Sequence, residues 1–224
     1  MIPFHVPTPQ GCNIQTFYGT VPNTSDVTYQ NHQSWNKPVG VSHVYMMLIG
    51  GGARGSATRG GGSGAVTVWY GAAQHVPDSL FVRAPTKNDT TSDFGDTTVS
   101  IRTTAGTVYD LLTAQTGRST AGGDAMTANA FAASGFFQSV AGQDGDTGAI
   151  SPSSTTFLSG GANTNSSIAN YGYTGGSNSN GYFIMQPIIV GVGGKSSGTD
   201  GGLGCGTYRN EGYAGGGLVL IASW

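Results

Sequence analysis

Lys195 and Ser196 stand behind a glycine-rich run, Ile189-Val190-Gly191-Val192-Gly193-Gly194, much as a phosphate loop sets its lysine and hydroxyl behind glycines. A phosphate loop opens on a glycine where this run has Ile189, and it needs a surrounding βαβ unit that the neighbouring sequence does not offer. The run reads as a glycine-rich strand end. Gly202-Leu203-Gly204-Cys205-Gly206 is no dinucleotide fingerprint either. Asp144-Gly145-Asp146 could ligate calcium from a tight loop, but no bidentate carboxylate follows, since Glu211 is remote. A solvated turn is the simpler reading. The four histidines (His5, His32, His43, His75) are far apart, and His43 lies in an apolar run as a hydrogen-bonded core residue would. No Ser-His-Asp or Cys-His set shows a local signature. Cys12 and Cys205 allow one disulfide at most; two buried thiols and a bridge from the N-terminal arm to the glycine-rich end both fit. Four zinc-type ligands are not available at a useful spacing. No catalytic residue, metal site or cofactor is expected.

The better candidates are aromatic. Tyr171, Tyr173, Tyr182, Tyr208 and Tyr213 lie among Gly, Asn and Ser, as in Asn170-Tyr171-Gly172-Tyr173 and Gly206-Thr207-Tyr208-Arg209. Rigid ring area beside adaptable hydrogen-bonding groups is the chemistry of recognition loops, and sugar rings stack on such faces. The competing reading packs the same rings into glycine-rich layers or a subunit interface.

The elements that must position these rings are written in glycine and alternation. Glycine supplies 39 of 224 residues, in runs beside apolar stretches. Gly50-Gly51-Gly52 follows Val44 to Ile49, Gly193-Gly194 follows Ile188 to Val190, and Gly215-Gly216-Gly217 precedes Leu218 to Ile221. Glycine costs more backbone entropy than any other residue, so a folded chain that carries this much uses it for close backbone approach or positive φ. Val41 to Ile49 reads as a central strand covered on both faces. In Ala65 to Tyr70, Val66, Val68 and Tyr70 share one face and Thr67 and Trp69 the other. Leu80, Val82 and Ala84 oppose Phe81 and Arg83, while Val99 and Ile101 point in and Ser100 and Arg102 out. Turn segments separate the runs. Thr107 to Gly181 reads mostly as long loops, with a short helix within Asp124 to Phe137 capped by Asp124. Phe183 to Val192 reads as a strand whose Pro187 marks an edge or bulge, and Leu218 to Trp224 as a closing strand. The expectation is an all-β protein with little helix: one glycine-rich β-sandwich or jelly-roll-like domain over 35–224, with long loops, after an extended N-terminal arm over 1–34 holding one or two edge strands.

Composition narrows the partners. Charged residues are 9% of the chain, the net charge is −2, and the nine basic residues are scattered, so no stripe tracks phosphates and no nucleic-acid partner is expected. No run approaches the roughly 18 apolar residues of a membrane helix, so no membrane insertion is expected. Met1 to Gln10 has no basic or apolar region of a secretory signal and is broken by Pro3, Pro7 and Pro9. Low charge, abundant glycine and a Pro-rich arm suggest a homo-oligomer, or a part of a larger particle, with the arm reaching a neighbour.

Pro38-Val39-Gly40-Val41 followed by His43 to Ile49 and Gly50-Gly51-Gly52 resembles the opening strand of the glycine-rich domain of phage tail fibres and related virion surface proteins. Gly60-Gly61-Gly62-Ser63-Gly64 with its strand, Ser92-Asp93-Phe94-Gly95, and Gly215-Gly216-Gly217 with the closing strand follow in that family's order. The resemblance covers Trp35 to about Gly106 and about Val190 to Trp224. The N-terminal arm has no counterpart, and Thr107 to Gly181 carries only sparse glycine pairs. It implies a virion component made in the host cytoplasm, without catalytic residues, beside other virion proteins. Receptor binding through the Gly- and Tyr-rich loops, to a host-surface glycan or protein, is the implied role. A purely structural subunit (capsid, spike or tube) and a secreted lectin-like module are the alternatives.

Overall fold

The structure is a computed structural model that describes residues 11–19, 32–86, 95–145, 203–207 and 213–224, and the backbone of 183–185 and 188–190. Its most apolar strand, β3 (His43–Ile49), lies at the centre of a five-stranded antiparallel sheet. β11 (Leu218–Ser223) and β4 (Val66–Ala72) flank it; β1 (Asn13–Tyr18) and β8 (Phe136–Val140) form the edges. Alternation divides the side chains. Val44, Met46, Leu48, Trp69, Val219 and Ile221 enter one core, and Tyr45, Met47, Ile49, Val66, Val68, Leu218, Leu220 and Ala222 the other. Both faces are buried, which is why β3 reads as a continuous apolar run. Each such side chain contributes on the order of 1.5–3 kcal/mol by leaving water.

A second antiparallel sheet supplies the opposing wall of the first core. Its order is β2 (Gln33–Asn36), β5 (Ser79–Arg83), β6 (Thr97–Arg102) and β7 (Val108–Ala114). Trp35, Leu80, Val82, Val99 and Leu112 face the first sheet. The protein is all-β: two main antiparallel sheets packed face to face, with a further two-stranded pair and no α-helix among the described residues. The hairpin β3–β4 and the meander β5–β6–β7 stay within their sheets, as in a sandwich rather than an interleaved jelly roll. No helix among the described residues is long and apolar enough to cross a membrane.

Several local expectations are corrected. Ser100 does not face solvent: a bulge between Val99 and Ser100 breaks the alternation, and Ser100 is fully buried with its hydroxyl donating to the Phe81 carbonyl at 3.3 Å. Asp124 to Phe137 holds no α-helix. Its only helical turn is the 3-10 turn Ala132–Ser134, where the Asn129 carboxamide oxygen, rather than Asp124, accepts the Ala132 amide. Gly135 leaves the turn in an extended conformation and Phe136 starts β8. β7 and β8 thus occupy ground read as loop. Within Phe183 to Val192 the structure describes two short strands rather than one, β9 (Phe183–Met185) and β10 (Ile188–Val190), paired antiparallel. The edge strands expected near the N-terminus are found: β1 pairs along its whole length with β11 at one edge of the first sheet, and β2 pairs with β5 at one edge of the second.

Candidate binding surface

The described glycine runs emerge at one pole of the five-stranded sheet. Residues 50–53 follow β3, 60–65 precede β4, 115–123 follow β7, 142–145 follow β8 and 214–217 precede β11; 203–207 joins them. Along the central run, five consecutive amides donate in rotation. Gly61 donates to Thr207, Gly62 to Ser119, Ser63 to Gln143, Gly64 to Gly204 and Ala65 to Gln115, all between 2.8 and 2.9 Å. A strand alternates between two neighbours; here direction repeats every third residue, as in an extended helix of three residues per turn. The pattern continues in the partners: Gly50 donates to Ala65 and Ala53, three residues on, to Gly62. The segments form a backbone lattice in which each rung bonds several neighbours.

At several of its contacts the lattice admits only glycine. A Cβ on Gly61 would meet the Ala53 carbonyl, one on Gly62 the Ala121 carbonyl and one on Gly206 the Gly61 carbonyl, each well inside van der Waals contact. Polar side chains brace the edges. The Thr207 hydroxyl accepts the Gly55 amide at 3.0 Å, and the Ser63 hydroxyl accepts the Gln143 amide at 2.7 Å. Asp144 accepts the Gly122 amide at 2.8 Å and lies 4.0 Å from Arg59, so its carboxylate is engaged with the lattice.

A cleft of about 420 Å³ opens beside this lattice, lined by Tyr18, Gly19, Pro85, Thr86, Leu203 and Gly215 to Gly217. Tyr18 ends β1 and is 58% exposed, so its ring forms a wall. The glycine floor is fixed: the amides of Gly215 and Gly217 donate to Cys205 and Pro85, and the Gly215 and Gly216 carbonyls accept from Gly52 and Gly204. None of the described lining residues is charged.

Of the predicted aromatic candidates, Tyr213 is described, and it is 49% exposed two residues before the cleft's glycines. Tyr171, Tyr173, Tyr182 and Tyr208 lie outside the described residues, as does the phosphate-loop-like stretch beyond β10. The structure adds Tyr18, Pro85 and Leu203, which sequence reasoning missed. A signal for Tyr18 existed: it ends the alternating run Ile14 to Tyr18 and is followed directly by Gly19. His43, read as a core residue, is half-buried; its Nδ1 lies 2.9 Å from the Ser42 hydroxyl.

The cysteine question resolves geometrically. Cys12 precedes the Asn13–Ser223 pair at one end of β11, while the Cys205 carbonyl accepts from Gly215, beyond the other end. The five steps of β11 alone span roughly 17 Å at about 3.3 Å each, against a limit near 7 Å between the α-carbons of a disulfide. The two are not bridged. Burial pushes the Cys12 thiol up, partly offset by the Ser223 backbone hydrogen bond, which keeps it protonated and a poor nucleophile. Neither models of known families nor curated proteins give a match to this chain.

Proposed function

We propose that this protein is a non-enzymatic virion surface component of tail-fibre or spike type that binds a neutral host-surface glycan or protein segment. The supporting observation is the cleft beside the glycine lattice. A ring wall (Tyr18), two apolar side chains (Pro85, Leu203) and a hydrogen-bonded floor without side chains give shape and stacking area at little ordering cost. The absence of charge among the described lining residues favours a ligand without phosphate or carboxylate. In this reading the protein sits on a particle among other virion proteins, as a homo-oligomer or as one part of a larger assembly.

Tyr18→Ala tests the reading. An aromatic hot spot carries about 2 kcal/mol, so host-cell binding should weaken roughly thirtyfold. The melting temperature should stay within a degree or two, because the ring is mostly in water. Unchanged cell binding, together with unchanged presence in purified particles, would instead favour a purely structural subunit.

A further inference from the structure

β8 is one edge of the five-stranded sheet, and the direction of its backbone groups follows from β3. At the two ends of the β3–β4 ladder, Gly50 donates to Ala65 and Ala73 donates to Ser42. Antiparallel pairs alternate between bonded and non-bonded, so in this register Thr67, Trp69 and Gly71 turn their backbone groups to β3. Val66, Val68 and Tyr70 therefore bond Val140, Gln138 and Phe136. The amides and carbonyls of Phe137 and Ser139 point away from the sheet, and they have no partner among the described residues.

The other edges are protected. On β7 the Leu111 carbonyl accepts the Asn129 carboxamide at 3.0 Å, and the Thr113 amide donates to the Met126 sulfur at 3.2 Å. β2 has four residues and runs into Lys37 and Pro38. On β1 the outward residues are Ile14, Thr16 and Tyr18, and the Tyr18 carbonyl already accepts the Gln33 carboxamide at 2.9 Å. β8 reads Phe136-Phe137-Gln138-Ser139-Val140, without charge, proline or bulge. The Met126 amide donates to the Ser139 hydroxyl at 2.8 Å on the inner face, where Ser139 also meets Thr67. The segment through Met126 thus runs beside β7, beneath β8, and leaves the in-plane edge of β8 open.

We propose that β8 pairs antiparallel with β8 of a second copy of this chain across a two-fold axis at Gln138, joining the two five-stranded sheets into one. In this register Phe137 lies opposite Ser139 of the second copy, and Ser139 opposite its Phe137. Every open amide and carbonyl on both edges is then bonded, with none left over. The non-bonded positions, where side chains come closest, place Gln138 opposite its own copy and Phe136 opposite Val140 at both ends. Phe136 is 48% exposed in the single chain, and this pairing covers it with a β-branched side chain on the same face. A foreign strand could make the same backbone bonds but would have to bring its own match for Phe136; a second copy brings that match twice. The interface stands apart from the cleft at Tyr18 and does not depend on the protein's being part of a virion.

The experiment is sedimentation equilibrium of the full chain, with circular dichroism to check folding. The intact protein should pass from monomer to dimer as its concentration rises. Gln138→Lys and Gln138→Glu each set like charges face to face across the axis, and each should weaken the dimer roughly fivefold or more. An equimolar mixture of the two should recover the lost affinity, because Lys then faces Glu. Tyr18→Ala should dimerise as the intact protein does, which separates this interface from the cleft. If a Gln138 variant fails to fold, Phe136→Asp, at an exposed position, serves in its place and should also weaken the dimer. The proposal is overturned if the intact protein stays monomeric at its highest soluble concentration, if these variants dimerise as tightly as it does, or if the mixture associates no better than either variant alone.

Discussion

Gly62 and Gly40 are both glycines, for unrelated reasons. At Gly62 a Cβ would run into the Ala121 backbone carbonyl, and backbone held on several sides cannot move aside. At Gly40 nothing lies within 4 Å, and only the positive φ of 83° resists a side chain. Gly62→Ala should therefore cost about 3 kcal/mol or more, at the upper end of overpacking. Gly40→Ala should cost only the roughly 1–2 kcal/mol of a left-handed residue with a Cβ. Denaturant midpoints of the two variants measure both; equal losses would mean that the lattice yields easily. Glycine content announced close backbone approach from the sequence alone. Which segments approach one another did not show, because a bond between two backbones leaves no mark on residue type.

Among the elements, the join between β2 and β5 turns on one cation. The Lys37 ammonium donates to the Val76 carbonyl at 2.7 Å and the Ala73 carbonyl at 3.3 Å, and pairs with Asp78 at 2.9 Å. It thereby closes the 3-10 turn Ala73–His75. The Asp78 side chain is 93% exposed and that of Lys37 only 20%, so the two carbonyls, not the ion pair, carry the stabilisation. Lys37→Met should cost about 1.5–3 kcal/mol and Asp78→Asn less than about 1 kcal/mol, read from thermal melts. A larger effect at Asp78 would reverse the assignment. The strands legible in sequence were those with clean patterns: β3 and β11 as apolar runs, β4, β5 and most of β6 by alternation. β7 hid because Val108-Tyr109-Asp110-Leu111 mixes exposed and half-buried positions without a period. β8 hid behind the weak helical appearance of the alanines before it. The candidate cleft was less legible, since Tyr18 reaches it from a strand end and not from a glycine-rich loop.

Across the whole molecule the five-stranded sheet links two unlike poles: a lattice of bare backbone with a cleft at one, and the stacked rings of His43, Tyr70 and Trp224 at the other. The run Gly61 to Ala65 is not a strand, yet each of its five amides is hydrogen-bonded. In hydrogen exchange, the amides of Gly61, Gly62 and Gly64 should be protected to the same degree as those of Met46 and Leu48. Exchange at the rate of open loops would show that the lattice opens independently of the sheet.

The rotation of hydrogen bonds along residues 61–65 also has a mechanical side. Tension along a hairpin's end pulls its rungs apart one after another, because each rung ties the same two chains. A segment anchored in turn to 204–207, 115–119 and 143 cannot be peeled from one neighbour without loading the others in the same step. Force applied at this pole is thus shared across the mesh rather than concentrated at a leading bond.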